Sequence, residues 1–174
     1  VVDLKSFKTS SKNVYWYDSL SYEGDGSLYM GDNDSVALPF QVKKTGLYNI
    51  EVVYYPIEGK GSSIVRELRI DGKLPFSECQ NLTFTRVFKN ASEIKTDNSG
   101  NQIRPQQEES PMWIKTDLYD TLGYYSEPLQ FYLEAGSHEL EFSSIREPML
   151  IGMITIYQSP AAGSYKKPEN VTST

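Results

Sequence analysis

The stretch Val36-Ala-Leu-Pro-Phe-Gln-Val-Lys-Lys-Thr-Gly-Leu-Tyr-Asn-Ile-Glu-Val-Val-Tyr-Tyr55 decides the fold class. Val36, Leu38, Phe40 and Val42 alternate with smaller or polar neighbours, Lys43-Lys44-Thr45-Gly46 interrupts the run, and Tyr48, Ile50, Val52 and Tyr54 alternate on the way back. A period of two is that of a strand with one buried face, so the stretch predicts an antiparallel hairpin. The same period continues outward. Pro56 and the run Glu58-Gly-Lys-Gly-Ser-Ser63 break the second strand, because proline cannot donate to a ladder. Residues 65–70 predict the next strand, closed by Asp71-Gly72, a pair that tolerates the positive φ of a tight turn. Residues 82–88 and a segment near 113–118 predict two more. Residues 129–133 and 139–142 predict a second hairpin across Glu134-Ala-Gly-Ser137, with His138 on its shoulder. Residues 149–157, nearly continuous in apolar side chains, predict a strand buried on both faces. No stretch of a dozen residues keeps apolar side chains at helical spacing. About nine or ten short strands with turn signals every eight to twelve residues predict an all-β chain, an antiparallel β-sandwich or jelly roll.

The 174 residues are the size of one domain with tails, enough to bury roughly 70% of the unfolded surface without disulfides or metal. The expected division is a lead over residues 1–13, the sandwich over 14–158, and a linker or tail over 159–174, where Pro, Ala, Gly, Ser and Lys replace the alternation. The chain opens at Val1, which reads as a processed or excised piece. Seventeen basic against 23 acidic residues, a net charge of −6, oppose binding to a phosphate backbone, so nucleic acid is excluded as a partner. No apolar run approaches the ~18 residues of a transmembrane segment. Cys79 is alone and His138 is the one histidine, which removes disulfide, zinc and thiol-protease readings and leaves Cys79 as a buried thiol.

The wording of the strands carries a resemblance. Leu38-Pro-Phe-Gln-Val with Thr45-Gly-Leu-Tyr-Asn-Ile, Leu68-Arg-Ile-Asp-Gly-Lys, and Phe131-Tyr-Leu-Glu-Ala-Gly-Ser-His-Glu-Leu resemble, in that order, the motifs of galactose-binding-like jelly rolls, including carbohydrate-binding modules of families 6 and 35. Ile70-Asp-Gly-Lys-Leu-Pro-Phe76, Asp97-Asn-Ser-Gly-Asn-Gln-Ile-Arg-Pro-Gln106, Tyr124-Tyr-Ser-Glu-Pro128 and Ile145-Arg-Glu-Pro-Met149 resemble the accessory domain joined to family 1 extracellular solute-binding proteins of bacterial ABC importers. The resemblance covers roughly residues 14–158. It implies a noncatalytic domain at the cell surface, attached to a solute-binding lipoprotein, whose partners are carbohydrate and the solute-binding domain of its parent chain. The alternative it leaves open is a structural spacer that docks against that domain and holds no ligand.

A sugar offers an apolar C–H face and a rim of hydroxyls, so its binder needs exposed aromatics beside amides, carboxylates or guanidinium. Residues 89–112 lose periodicity and read as a long structureless loop, either functional or disordered. Asp97, Asn101, Arg104, Gln106 and Glu109 are its polar candidates, with Trp113, Tyr124 and Tyr125 as stacking platforms. The competing reading places Trp113 in the core and has Asp97 and Asn101 merely hold the loop in Asx-turns. Arg146-Glu147-Pro148 reads either as a ligand clamp or as a charged pair securing the last strand. Catalysis by paired carboxylates is not expected, because the acids cluster in turns. Glu23, Asp25, Asp32 and Asp34, with no base among residues 21–35, are the candidate metal ligands. No other cofactor is expected. The resemblance implies a structural calcium held by two acids in the first strand and one in the last. Here Tyr22-Glu23-Gly24 offers one acid, and residues 150–158 offer none.

Overall fold

The computed structural model describes residues 1–57, 62–123 and 126–159. In chain order the strands are β1 (Val14–Tyr17), β2 (Ser27–Met30), β3 (Ser35–Val42), β4 (Gly46–Pro56), β5 (Ile64–Ile70), β6 (Leu82–Phe84) and β7 (Phe88–Asn90). There follow β8 (Lys95–Thr96), β9 (Gln102–Ile103), β10 (Gln107–Glu109), β11 (Ile114–Asp117), β12 (Phe131–Leu133), β13 (Gly136–Arg146) and β14 (Met149–Gln158). The larger sheet runs β1-β2-β14-β4-β11, with β12 also on β4, and the smaller runs β3-β13-β5-β6. Their inner faces meet in one core. Leu28, Ile50, Val52 and Ile154 come to it from the larger sheet and Leu38, Leu68, Leu140 and Phe142 from the smaller, each fully buried. Burying a side chain of that size contributes about 1.5–3 kcal/mol. The chain is thus an antiparallel β-sandwich of the jelly-roll kind.

Neither expected hairpin forms. β3 pairs with β13 in the smaller sheet, whereas β4 pairs with β14, β11 and β12 in the larger. β12 and β13 are likewise divided between the two sheets. The connections at 43–45 and 134–135 are therefore arches that carry the chain across the core. Alternation marks which side chains point inward, and it is the same whether the next strand lies beside its predecessor or opposite it. The two arches are tied to each other by the Ala135 N–H, which donates to Thr45 Oγ1 at 2.9 Å. A tight turn does form at Asp71-Gly72, where both residues take positive φ (54° and 76°) and Ile70 and Lys73 exchange backbone hydrogen bonds.

The lead over residues 1–13 packs onto the sandwich. Val2 and Leu4 are buried, the Val2 N–H reaches the Ile154 carbonyl at 2.9 Å, and Lys8 bridges Ala37 on the outer edge of β3. In β1 the alternation turns Trp16 toward the core, while Tyr15 stays 44% exposed and stacks on Tyr29 at 4.6 Å. Cys79 is buried, and burial pushes its thiol up to about 12, so it remains a protonated apolar filler.

Candidate functional site

The segment read as a structureless loop is an arm of two small antiparallel ladders. β7 pairs with β10 at its base and β8 with β9 further out. Both ladders are too short and too exposed to leave an alternating apolar pattern, which is why the period was lost. The tip is closed by Asp97. Its Oδ1 accepts from the N–H groups of Ser99 (2.9 Å) and Asn101 (2.8 Å), and its Oδ2 from Asn101 Nδ2 (3.2 Å). These bonds, led by the Asn101 N–H, hold the Asp97 carboxyl below its ordinary range. Asp97 and Asn101 therefore build the turn, with Gly100 at φ 82° completing it.

Between the arm's ladders lies a groove of about 590 Å³ lined by Asn90, Ile94, Gln102, Arg104, Pro105 and Gln107. The β7–β10 register sets Gln107 opposite Asn90, and Gln107 Nε2 donates to Asn90 Oδ1 at 2.5 Å. Arg104 is the one sequence candidate in this lining. Gln106 lies exposed beside it, with its carbonyl accepting from the Ala91 N–H at 2.8 Å. Asn90, Gln102 and Gln107 escaped the sequence reading because their convergence depends on a ladder that the sequence did not signal.

Glu109 has a different occupation. Its carboxylate pairs with Arg86 Nη1, while Arg86 Nη2 donates to Glu147 Oε2 at 2.7 Å. Arg86 also donates to the carbonyls of Ser62 (2.7 Å) and Ile57 (2.5 Å). Its side chain is 2% exposed, so the arrangement ties the arm to the β4–β5 and β13–β14 connections as a buried triad. Glu147 sits at φ 69°, a conformation that non-glycine residues rarely adopt and that this pairing stabilises. Arg146 turns away, its Nε reaching the Ser63 carbonyl at 3.1 Å. The Arg146-Glu147 pair thus secures its neighbours within the fold.

Trp113 enters β11 over the outer face of the larger sheet, partly buried between Tyr55 (ring centroids 5.4 Å apart) and Tyr22 (5.9 Å). Directly beneath is Gly152, where a Cβ would fall 2.6 Å from Trp113 Cζ3 and 2.8 Å from Tyr22 Cβ. β14 shifts register there. Tyr124 and Tyr125 lie outside the described residues.

The four acids do not converge. β2 separates Glu23 and Asp25 from Asp32 and Asp34, and four strand residues span roughly 13 Å, whereas calcium ligands sit about 2.3–2.6 Å from the ion. Asp25 pairs with Lys5 at 2.5 Å, and Asp34 is buried. Asp32 and Asp34 both act on the buried Arg66, whose guanidinium burial pulls down to about 10 against their charge. Among the described residues no three acid, histidine or cysteine side chains are grouped to hold a metal.

No protein-family model matches the chain, and no curated protein matches it in sequence. Solved structures share its fold. A GH26-CBM35 β-(1,4)-mannanase of Podospora anserina superposes with a TM-score of 0.50 at 12% identity, over 88% of this chain and 27% of that one. A family 35 carbohydrate-binding module from Clostridium thermocellum gives 0.48 at 9% identity, over 91% and 98% of the two chains. CBM35 from Paenibacillus barcinonensis gives 0.46 at 13%, over 88% and 99%. This chain spans about a quarter of the mannanase. At 12% identity the mannanase superposition is a likeness of fold alone.

Proposed function

We propose that the chain is a noncatalytic carbohydrate-binding module that holds a saccharide in the arm groove. The observation that carries this reading is the groove's chemistry. The amides of Asn90, Gln102 and Gln107 and the Arg104 guanidinium share the lining with Ile94 and Pro105, so donors and acceptors for a hydroxyl rim accompany apolar surface for a C–H face. The buried Arg86 triad supports it by fixing the arm's base on the sandwich, because a rigid arm loses less entropy on binding. The module belongs to a cell-surface solute-binding lipoprotein and presents sugar to its transport domain; the motifs at residues 70–76, 97–106, 124–128 and 145–149 support that attachment.

A glycan array on the isolated domain, followed by calorimetry on its best ligand, tests this. Arg104→Ala should weaken binding by about 1–2 kcal/mol, roughly 5- to 30-fold, with the melting temperature unchanged. An array without signal would favour the spacer.

A further inference from the structure

At the opposite end of the sandwich the arches frame a second groove, of about 610 Å³, with Asp71, Lys73, Phe76, Tyr132, Glu134 and His138 in its lining. His138 stands at its rim, stacked on Phe40 with ring centroids 5.5 Å apart. Its Nδ1 is 2.6 Å from Asp71 Oδ2 and its Nε2 is 2.6 Å from the Glu134 carbonyl oxygen. Both partners are acceptors only. A neutral imidazole carries one N–H and one lone pair, so it can satisfy one of these contacts and must point a lone pair at the other. The imidazolium satisfies both. Asp71 is fixed independently, since its Oδ1 accepts from the Glu139 N–H at 2.8 Å and its backbone is locked in the turn after β5.

We propose that His138 is a proton-operated clasp: as imidazolium it bridges the Glu134 carbonyl of the β12–β13 arch and the Asp71 carboxylate of the turn after β5, and on losing its proton it releases one of the two. The charges facing the ring are Asp71 and Lys73 from the turn and Glu134 from the arch; β3 offers the uncharged Phe40. Their sum favours the cation. The Glu134 carbonyl raises the His138 pKa above its ordinary value, burial opposes it, and Asp71 adds to the rise. Burial pushes the Asp71 carboxyl up, but the His138 and Glu139 hydrogen bonds outweigh it and hold it below its usual range. The signs define a window. The histidine's contribution is complete below its unfolded value of about 6.5 and is lost as pH rises through the raised folded value. The aspartate's contribution is present above its unfolded value of about 3.9 and is lost as pH falls through the lowered one.

Because the chain has one histidine, its ring resonances are assigned without mutation. An NMR titration should show both ring nitrogens protonated at pH 6, a midpoint above about 6.5, and Phe76 and Tyr132 shifts that follow the same midpoint. Asp71→Asn, which keeps a residue type that accepts positive φ, should lower the midpoint. A wild-type midpoint at or below 6.5, a single protonated nitrogen at pH 6, or groove shifts indifferent to the titration would each overturn the clasp, with no variant required to fold.

Discussion

The two ends of the sandwich pair acid with base in opposite ways. At the arm end Arg86, Glu109 and Glu147 have side chains 2%, 11% and 3% exposed, so water cannot stand in for a missing partner. At the arch end His138 and Asp71 are 12% and 49% exposed, and solvent shares the carboxylate. Removing one member of a buried set leaves an uncompensated charge, whereas a partly solvated pair is worth little and can be made and broken by a proton. The arm end is therefore built to stay rigid and the arch end to respond. On the proposed readings, a binding arm on a fixed base and a proton-operated clasp are the functional counterparts.

The largest effect that would break this contrast is at Arg86. Arg86→Ala should cost about 3–5 kcal/mol in urea unfolding, because two buried carboxylates lose their cation. A loss below 1 kcal/mol would mean that the triad is solvated and the arm is not fixed. Next comes Gly152→Ala, whose Cβ has no space against Trp113 and Tyr22. A cost of about 1–3 kcal/mol is expected from overpacking, and a double-mutant cycle with Trp113→Ala should show coupling above ~0.5 kcal/mol. Additive behaviour would place Trp113 off the sheet and free for ligand. The smallest effect belongs to the clasp. Asp71→Asn should change stability at pH 6 by under about 1 kcal/mol while moving the imidazole titration, since an exposed pair stabilises weakly. A multi-kcal loss there would make the two ends alike.

How far the sequence was legible follows the same division between local and nonlocal causes. Inward parity was readable throughout, since Val36, Leu38, Phe40, Val42, Tyr48, Ile50, Val52 and Tyr54 all reach the core. The Asp71-Gly72 turn was readable because its backbone requirement lies in two adjacent residues. Strand partnership was not, because arch and hairpin share one alternation. A signal existed even so: Lys43-Lys44-Thr45 has no Asn-Gly or Asp-Gly pair, and none of its residues takes the positive φ of a two-residue hairpin turn. At the candidate site, Arg104 was found by residue type, whereas the arm's amides meet only through ladder register. Glu109 looked available because its cation, Arg86, lies in another segment and is drawn in by tertiary packing. Gly152, inside an otherwise apolar strand, was the readable mark of a close approach that turned out to be Trp113.

Saccharide binding in the arm groove is mapped by titrating the isotope-labelled domain with the best oligosaccharide from the array and following backbone amide shifts. The largest shifts are expected at Asn90, Ile94, Gln102, Arg104 and Gln107, with the arch end unmoved. Shifts confined to other surfaces, or none at saturating sugar, would contradict it.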